Sequence, residues 1–414
     1  MTSDLTLAWQ NLRRNRRRTL LSAGGIGFAA ALLVFVLSMQ TSQYQLMLRA
    51  SVNSGTGYLQ VQAAGYLDES RIWLVVPDPA AVAGRLRAEP RVTAVTSRAE
   101  GFSLLASSAH AQGALVVGIQ PRTEAEVTTI ATSVHTGKFL AEGDYDRGVI
   151  GALLARNLGV GIGDTVTVLG SARDGSVAAG EVVIQGIFET GQPEFDRGVV
   201  YVPLAYFDEV FRMEGAVHRV IARCDSLWGL GPVAQRVSSD LAGTGLAGHP
   251  PVALTWRQML PGVLEAIQMD MTIGGFMYLI LVLVVAFSIL NTFVMAVFER
   301  TREFGVMMAI GTTPWRLVRV LMLESAMLTL LGIVGGIIVG CIVTLIFADV
   351  GIYIGKDAAD FMRKYGLPPR IHPELSIWTA TIGPTVVFVL TMLAASLPAL
   401  RIRKMRPVVA MRAA

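Results

Sequence analysis

ERTREFGVMMAIGTTPWRLVRVLMLESAMLTLLGIVGGIIVG, residues 299–340, lies between two strongly apolar segments and decides how the chain is organised. Charges of both signs at its start end an uncharged run, which marks an exit from lipid. Gly311 predicts a helix end, and Thr313-Pro314 predicts the start of the next helix. Apolar residues at helical spacing predict a short amphipathic helix before that stop: Phe304, Met307, Met308 and Ile310. A plain interfacial loop between two spans is the alternative.

The composition indicates a membrane protein with room for a large soluble domain. Of 414 residues, 52% are hydrophobic, and the mean hydropathy is +0.52. The net charge of +4 is compatible with nucleic-acid binding, but the arginines cluster beside apolar runs, where they set the orientation in a membrane. We therefore expect no nucleic-acid partner. Cys224 lies in a polar region and Cys341 in an apolar run, so no disulfide is predicted.

Residues 1–18 predict an amphipathic helix on the cytoplasmic membrane surface, followed by a first span at 19–42. The predicted contacts with anionic lipid come from one aromatic residue and a basic cluster: Trp9, Arg13, Arg14, Arg16, Arg17 and Arg18. A secretory or twin-arginine signal is the alternative. An uncleaved span is favoured, because residues 39–43 offer no convincing small-residue cleavage site and further spans follow.

Residues 43–271 lack a run long enough to cross a membrane and predict one large extracytoplasmic α+β domain, divided into two subdomains near residues 133–146. Strands are predicted at Tyr58–Gln62, Ala114–Ile119, Thr165–Leu169, Glu181–Ile187 and Val199–Val202. Helices are predicted at Pro79–Ala88, Gly148–Leu158, Leu204–Phe211 and Leu230–Leu241.

Three more apolar runs predict spans at 272–298, 321–348 and 376–400. Between them lie a cytoplasmic segment at 299–320 and an extracytoplasmic loop at 349–375, and residues 401–414 form a tail. Basic residues are enriched in 1–18, 299–320 and the tail, which places both termini in the cytoplasm. Asn291 is an isolated polar group within a span. Glu324, near Arg316 and Arg319, is interpreted as a structural ion pair or cap rather than a proton-transport group.

Four stretches resemble known permeases: ER-x-x-EFG-x-x-x-AIG from residue 299, LPALRIRKMRPVVAMR at 397–412, GVIGALLARNLGVGIGDTVTVLG at 148–170 and GYLQVQAAGYLDE at 57–69. The first two resemble the FtsX-type permease domain of ABC transporters. The last two are similar to the outside domain of the MacB and LolC/LolE group. The resemblance implies four membrane helices, with the large domain inserted between the first and second.

The resemblance also implies a mechanism and partners. A separate ATPase, in two copies, would press on the segment after the second span, and the outside domain would move as a lever. The residues expected to couple to the ATPase are Glu299, Arg300, Arg302, Glu303, Phe304, Gly305, Met308 and Gly311. The expected partners also include a second permease copy or paralogue, membrane lipids, and a periplasmic adaptor or lipoprotein carrier. ATP and Mg²⁺ would bind the ATPase, and this chain would bind no cofactor.

Motifs for catalysis are not found in the sequence. Thr136-Gly137-Lys138-Phe139 lacks the upstream Gly and the hydroxyl of a phosphate-binding loop, so the chain is expected not to hydrolyse ATP. Ser108 and His110 lack a nucleophile elbow, and no pair of histidines has metal-ligand spacing. We therefore expect a non-catalytic transmembrane subunit of a bacterial inner-membrane transporter.

Three functions remain open: release of lipoproteins or lipids from the outer leaflet, which is favoured; efflux of a toxin, peptide or drug with an adaptor; and FtsX-like signalling to a cell-wall hydrolase. A stripe of glycines after the coupling segment predicts tight helix packing: Gly332, Gly336 and Gly340. The stripe can face a span of the same chain or of a partner, and the sequence leaves both open.

Overall fold

The computed structural model describes residues 2–14, 16–242, 249–353, 355–356, 359 and 370–402. It divides into a helical unit (Met1–Gln45, Ala266–Tyr353 and Arg370–Ala414) and a second unit (Leu46–Glu265 and Ile354–Pro369). We call Leu46–Glu265 the sheet domain. The predicted tail lies outside the described residues from 403 onward, as does about half of the predicted loop at 349–375.

The helices are α1 (Thr2–Arg14), α2 (Arg16–Ser51), α3 (Tyr66–Glu69), α4 (Pro79–Ala88), α5 (Pro121–Val127), α6 (Ala152–Leu158), α7 (Pro193–Gly198), α8 (Leu204–Phe211), α9 (Gly231–Leu241), α10 (Trp256–Met259), α11 (Pro261–Glu299), α12 (Thr301–Ala309), α13 (Pro314–Val350) and α14 (Ile377–Ile402). Four of them, α2, α11, α13 and α14, are long and apolar enough to cross a membrane. The predicted fold class is confirmed: four candidate membrane helices, with a mixed α/β domain between the first and second.

Two of these helices extend far into residues that were predicted to belong to the extracytoplasmic domain. α2 continues to Ser51 and α11 begins at Pro261, because the polar residues beyond each apolar run still favour helix. Hydrogen bonds join the two helices where their apolar parts begin. The Tyr44 hydroxyl donates to Asp270 Oδ2 at 2.6 Å, and the Tyr278 hydroxyl donates to Gln40 Oε1 at 2.9 Å.

The strands are β1 (Leu59–Ala63), β2 (Val92–Ala106), β3 (Ala111–Ile119), β4 (Val134–Gly137), β5 (Arg147–Gly151), β6 (Thr165–Ser171), β7 (Val177–Phe188), β8 (Val199–Pro203), β9 (Arg219–Cys224) and β10 (Pro251–Thr255), with a short pair β11 (Ile352–Tyr353) and β12 (Arg370–Ile371). The first ten form one sheet in the order β10-β1-β9-β2-β3-β8-β5-β7-β4. β6 pairs with both β2 and β7, so β2, β3, β8, β5, β7 and β6 close into a ring.

Two of the differences between the sheet domain and the prediction lie within residues 133–151. Residues 148–151, predicted as the start of a helix, belong to β5, because Val149 and Ile150 are fully buried and pair with β7 and β8. The predicted division near residues 133–146 falls inside the sheet. β4 and β5 lie on either side of it in sequence, and both pair with β7.

The sheet domain buries an ion pair as well as apolar side chains. Arg98 Nε donates to Glu124 Oε2 at 3.0 Å, and both side chains are almost fully removed from solvent. Arg98 Nη1 also donates to the carbonyl oxygen of Gly55 at 2.7 Å. Gly55 lies in the π-helical turn Val52–Thr56 that joins α2 to β1, so this pair fixes the chain where it enters the sheet.

The chain leaves the sheet beside the place where it enters. β1 pairs antiparallel with β10 over five residues, from Leu59 opposite Thr255 to Ala63 opposite Pro251. Thr255 and Gln258 form a capping box at the start of α10, and the Trp256 side chain is buried with its Nε1 donating to the Leu227 carbonyl at 2.7 Å. α11 follows directly, so α2 and α11 are attached to neighbouring strands at the same end.

Candidate functional site

The segment between α11 and α13 folds into one short helix bounded by two breaks. Arg300 leaves helical geometry, with φ −103° and ψ 8°, and α12 begins at Thr301. Gly311 has φ +106°, a conformation that favours glycine, and it ends α12 as the sequence predicted. Thr313 occupies the N-cap position and Pro314 the first position of α13, again as predicted, although the Thr313 hydroxyl makes no capping bond.

The inner face of α12 holds the helix in place. Phe304 and Met308 are buried against the end of α11, the start of α13 and Ala399 of α14. Gly305 is also buried, and Thr301 Oγ1 donates to the Val297 carbonyl at 2.9 Å. Three of the eight predicted coupling residues, Phe304, Gly305 and Met308, therefore face the chain's own helices.

The outer face of α12 and the residue directly after the helix carry charges and an apolar ridge, which we define as Val306, Met307 and Ile310. Four predicted coupling residues are exposed on α12 or beside its ends: Glu299, Arg302, Glu303 and Gly311. Ile310 is 81% exposed, the most of any large apolar residue in the described chain. None of the ridge residues is among the predicted coupling residues, because the sequence pattern was interpreted as one apolar face. The spacing 306, 307, 310 is itself a second helical pattern and is the signal that identifies the ridge.

Arg300, the remaining predicted coupling residue, joins α12 to α1 and α13. Its Nη1 donates to Glu324 Oε2 at 3.1 Å, and its Nε donates to Glu303 Oε2 at 3.2 Å. Asn11 Nδ2 donates to Glu324 Oε2 at 3.3 Å, and Arg14 Nη2 donates to Glu303 Oε1 at 3.2 Å. Glu324 is buried, so Arg300 compensates a charge that is otherwise costly at that depth.

The predicted ion pair of Glu324 exists, with different partners. The sequence suggested Arg316 and Arg319, which are close in the chain. In the structure, Glu324 accepts hydrogen bonds from Arg300 and Asn11 instead. Arg316 Nε donates to Asp4 Oδ1 at 3.0 Å. The break at Arg300 turns this side chain back toward α13, and that turn has no signal in the local sequence.

α1 packs on the helical unit along one face. Ala8 and Leu12 are buried, and Asp4 is buried beside Arg316. Trp9 is half exposed, and the side chains of four predicted membrane-surface residues are exposed: Arg13, Arg14, Arg16 and Arg17. The side chain of Arg18 lies outside the described residues. The exposed set is compatible with a lipid surface, and that role stays a prediction.

The glycine stripe of α13 faces α2 of the same chain. The sequence had left open whether the stripe faces a span of the same chain or of a partner. A Cβ atom on Gly336 would lie 2.4 Å from the Gly27 carbonyl oxygen, and one on Gly332 would lie 2.7 Å from the Ala23 carbonyl oxygen. A Cβ on Gly340 would lie 3.0 Å from Ala31. The absence of side chains thus lets the two backbones touch.

The sheet domain places the residues considered for catalysis in an exposed loop. Ser108 and His110 both lie between β2 and β3, and the side chains of both are exposed. Within the described part of the chain, no three His, Cys, Asp or Glu side chains are grouped so that they could hold a metal ion.

Comparisons with known proteins match both units. The family model for the MacB-like periplasmic core domain matches residues 19–238, more than half of the chain, and the model for the FtsX-like permease C-terminal domain matches residues 275–407. The lipoprotein-releasing system transmembrane protein LolC of Xylella fastidiosa (strain Temecula1) is 28% identical over 266 residues, 62% of each chain. LolC of Neisseria meningitidis serogroup B is 22% identical over 383 residues, 87% of this chain and 85% of the relative.

Solved structures of extracytoplasmic domains are also similar to part of the chain. The periplasmic region of MacB from Actinobacillus actinomycetemcomitans is 11% identical with a TM-score of 0.37, and the match covers 51% of this chain and 94% of that one. The extracellular domain of the transporter YknZ is 14% identical with a TM-score of 0.33, covering 42% and 88%. On the family models, the chain belongs to the ABC transporter permeases that combine a MacB-like periplasmic core domain with an FtsX-like permease domain.

Proposed function

We propose that this permease couples ATP hydrolysis by a separate ATPase to motion of the sheet domain, and that the motion releases lipoproteins or lipids from the outer leaflet of a bacterial inner membrane. The substrate class is supported by the relatives named as lipoprotein-releasing proteins. The coupling is supported by one observation above all, the exposed ridge on α12.

The ridge has the chemistry of a docking surface for a protein. An isoleucine as exposed as Ile310, with Val306 and Met307 beside it, is unfavourable in water and favourable in a partner's apolar cleft. Arg302 and Glu303 flank it on the same helix and offer charges for orientation. Such a small apolar centre with a charged rim is typical of the few residues that dominate a protein interface.

Force applied to the ridge would pass into the long helices. Phe304 and Met308 pack α12 against α11, α13 and α14, so pushing α12 also moves the ends of those helices. The Arg300–Glu324 pair adds a second link to α13. Because packed side chains resist deformation, a displacement of α12 is transmitted rather than absorbed.

The path to the sheet domain runs along continuous helices. α11 extends from Glu299, beside α12, to Pro261, which follows the buried Trp256. α2 extends from Arg16 to Ser51 and is tied to the sheet through Gly55 and Arg98. Neither helix contains a proline after its first turn, so neither carries a proline kink.

The proposed orientation has this end of the helices in the cytoplasm and the sheet domain in the periplasm, and it is supported by the basic residues of α1 and of residues 299–320. The proposed partners are two ATPase subunits on the cytoplasmic side, which bind ATP and Mg²⁺, and a second permease copy or paralogue. A periplasmic lipoprotein carrier or adaptor would receive the substrate.

The coupling is tested by replacing Ile310 with Asp in the full chain expressed with its ATPase. A charge on the ridge should reduce co-purification of the ATPase at least about tenfold, since central interface residues are worth about 2 kcal/mol or more. Val177→Asp is the matched control, because Val177 on the sheet domain is 76% exposed, close to the exposure of Ile310. Undiminished ATPase binding by the Ile310→Asp protein would contradict the proposal.

The substrate is tested in proteoliposomes that hold the permease, its ATPase and an acylated lipoprotein. ATP should move the lipoprotein into the soluble fraction when a carrier is added. Efflux is the second candidate, supported by the match to the MacB-like core domain. ATP-dependent export of a peptide without lipoprotein release would favour efflux, and neither activity would favour signalling to a cell-wall hydrolase.

A further inference from the structure

The sheet domain contains a cavity of about 300 Å³ beside the two joints where the chain enters and leaves the sheet. One wall is the face of the sheet formed by β9, β2, β3 and β8. The entry joint contributes residues from 51–56, and the exit joint contributes Leu260 and Val263. Gln192 and Phe195 complete the lining. The volume is at the lower end of the range for small-molecule sites, about 300–1,000 Å³.

Strand register determines which side chains form the sheet wall of the cavity. Glu100, Val117 and Tyr201 lie side by side on β2, β3 and β8. Arg98, two residues before Glu100 and therefore on the same face, lies opposite Arg219 of β9. The wall thus presents a polar group beside an apolar one: Arg98, Glu100, Tyr201 and Arg219 beside Leu115, Val117 and Val199.

The charges of the polar group compensate one another. Arg98 is paired with Glu124, and Arg219 Nη2 lies 3.2 Å from Glu100 Oε2. Two cations and two carboxylates leave this wall neutral as a whole. A charged ligand would bring an unbalanced charge into a largely buried site, which is costly, whereas an uncharged ligand would not. The cavity therefore favours an uncharged molecule.

Tyr201 supplies a hydrogen-bond donor to the cavity. Its side chain is 1% exposed, and its hydroxyl forms no hydrogen bond with a described residue. Burial raises the pKa of Tyr201, so the hydroxyl keeps its proton at neutral pH. The charges of Arg98 and Glu100 act on this hydroxyl, which therefore lies on the polar side of the wall. A buried donor without an acceptor is costly, and a ligand with an acceptor oxygen removes that cost.

Glu100 supplies the complementary acceptor. The Tyr66 hydroxyl donates to Oε2 at 3.4 Å, and Arg219 pairs with the same oxygen. A carboxylate has about four acceptor positions on its two oxygens, so Oε1 has room for another donor. Tyr201 and Glu100 flank Val117 in one cross-strand row, so both can reach the same ligand. A donor beside an acceptor matches an amide, whose carbonyl oxygen and N–H group are joined through one carbon.

We propose that this cavity binds a small uncharged molecule that carries an amide group on an apolar body. The amide oxygen accepts from the Tyr201 hydroxyl, and the amide N–H donates to Glu100. The apolar body packs against Phe195, Leu260 and Val263 and against the apolar half of the wall. Because both joints contribute to the lining, the occupant ties them to the sheet. The inference is independent of the proposed function, since it requires neither the ATPase nor a transported substrate.

Equilibrium dialysis with three related probes tests the chemistry of the site. The full chain in lipid nanodiscs is dialysed against radiolabelled probe, and binding to empty nanodiscs is subtracted. Benzamide should bind with a Kd below about 1 mM, which is within reach of so small a ligand. Methyl benzoate has no N–H and should bind about three- to tenfold more weakly, since one hydrogen bond is lost. Benzoate has the same ring with a charge and should bind at least about tenfold more weakly.

Substitutions in the chain test whether benzamide occupies this cavity. Tyr201→Phe should weaken benzamide binding about three- to tenfold through loss of one hydrogen bond. Tyr206→Phe is the matched control, because Tyr206 is also a buried tyrosine with an unpartnered hydroxyl but does not line the cavity, and it should bind normally. Leu260→Trp fills the space and should abolish binding. Absent benzamide binding, equal binding of methyl benzoate or benzoate, or an affinity unchanged by Tyr201→Phe or Leu260→Trp would each overturn the inference.

Hydrogen–deuterium exchange locates the occupant at the joints. The N–H groups of Gly57 and Leu260 close the two joints by donating to the Val52 and Trp256 carbonyls, each at 2.9 Å. Saturating benzamide should slow exchange at both positions. Exchange at Gly175, in the turn between β6 and β7, should not change, because Gly175 does not line the cavity. Unchanged exchange at Gly57 and Leu260 would contradict the proposed location.

Discussion

The helical unit and the sheet domain pack their interiors in opposite ways. In the helical unit, α2 and α13 meet through Gly27, Gly332 and Gly336, and the contacts are between backbones. In the sheet domain, the core is filled by large side chains, including Phe207 stacked on Phe211 with ring centroids 4.1 Å apart. The helix contact in the helical unit depends on glycines that have no side chain, and the core of the sheet domain depends on large side chains that fill it.

The surrounding solvent explains the difference. Lipid chains are as apolar as leucine, so burying bulk between membrane helices gains little, and close approach of small residues stabilises the pair through dispersion. Water surrounds the sheet domain, where each apolar Å² removed from it contributes about 25 cal/mol. The sheet domain also buries charge, with Arg98 and Glu124 paired. Different substitutions should therefore destabilise the two interiors: added bulk in the helical unit, and loss of a buried charge in the sheet domain.

The largest effect is expected from bulk added to the glycine contact. Gly336→Leu places side-chain atoms against the Gly27 backbone, which has no room to move, and should cost more than about 3 kcal/mol. Little folded protein should be recovered after solubilisation, as measured by size-exclusion chromatography. Gly335→Leu is the matched control, because a Cβ there meets no atom within 4 Å. If the two variants gave equal amounts of folded protein, the helical unit would not depend on the close glycine contact, and the proposed difference between the two interiors would be wrong.

A smaller effect is expected from removing charge inside the sheet domain. Glu124→Gln leaves the buried Arg98 guanidinium without its directly paired carboxylate and should lower the free energy of unfolding by about 3 kcal/mol. Denaturant unfolding of the full chain measures it. Glu89→Gln removes a pair of similar geometry whose Arg236 is exposed, and should cost less than about 1 kcal/mol. A Glu124→Gln cost no larger than that of Glu89→Gln would be the contrary result.

The smallest effect is a pH dependence. Burial lowers the pKa of His218 from 6.5 to about 4, although Glu100 nearby favours the charged form. The unfolded chain therefore takes up a proton first as the pH falls, and stability is lost between about pH 6.5 and pH 4, by about 2 kcal/mol at pH 5. His218→Asn should flatten the pH profile of thermal unfolding in this window. The same replacement at the exposed His110 should leave the profile unchanged, and a profile insensitive to both would contradict the assignment.

Local signals predicted the fold well where they were sufficient. α4 and α8 have the predicted bounds, and the Asp78 side chain caps α4 by accepting from Ala81 N at 2.9 Å, with Pro79 next to it. The glycine after α12 and the proline of α13 are signals of the same kind. β2 was missed, because polar residues such as Thr96 and Glu100 are buried in it and hide the alternation expected of a strand.

The sequence predicted where the candidate site lies in the chain but not which side chains contact each other there. The segment and its two breaks followed from charge and glycine. The division of α12 into an inner and an outer face depends on packing against neighbouring helices, and one of them, α14, is distant in sequence. Arg300 and Glu324 are 24 residues apart, and Asn11 and Glu324 are 313 apart. No local pattern encodes such pairs, because they depend on where helix ends meet.

The ladder between β1 and β10 limits how α2 and α11 can be displaced. Both helices attach at the Leu59–Thr255 end of the ladder, so a lateral load that parts them opens the hydrogen bonds one at a time from that end. An equal axial load on both helices leaves the five paired residues in register. The two helices should therefore move together under an axial load and separate from this end of the ladder under a lateral load.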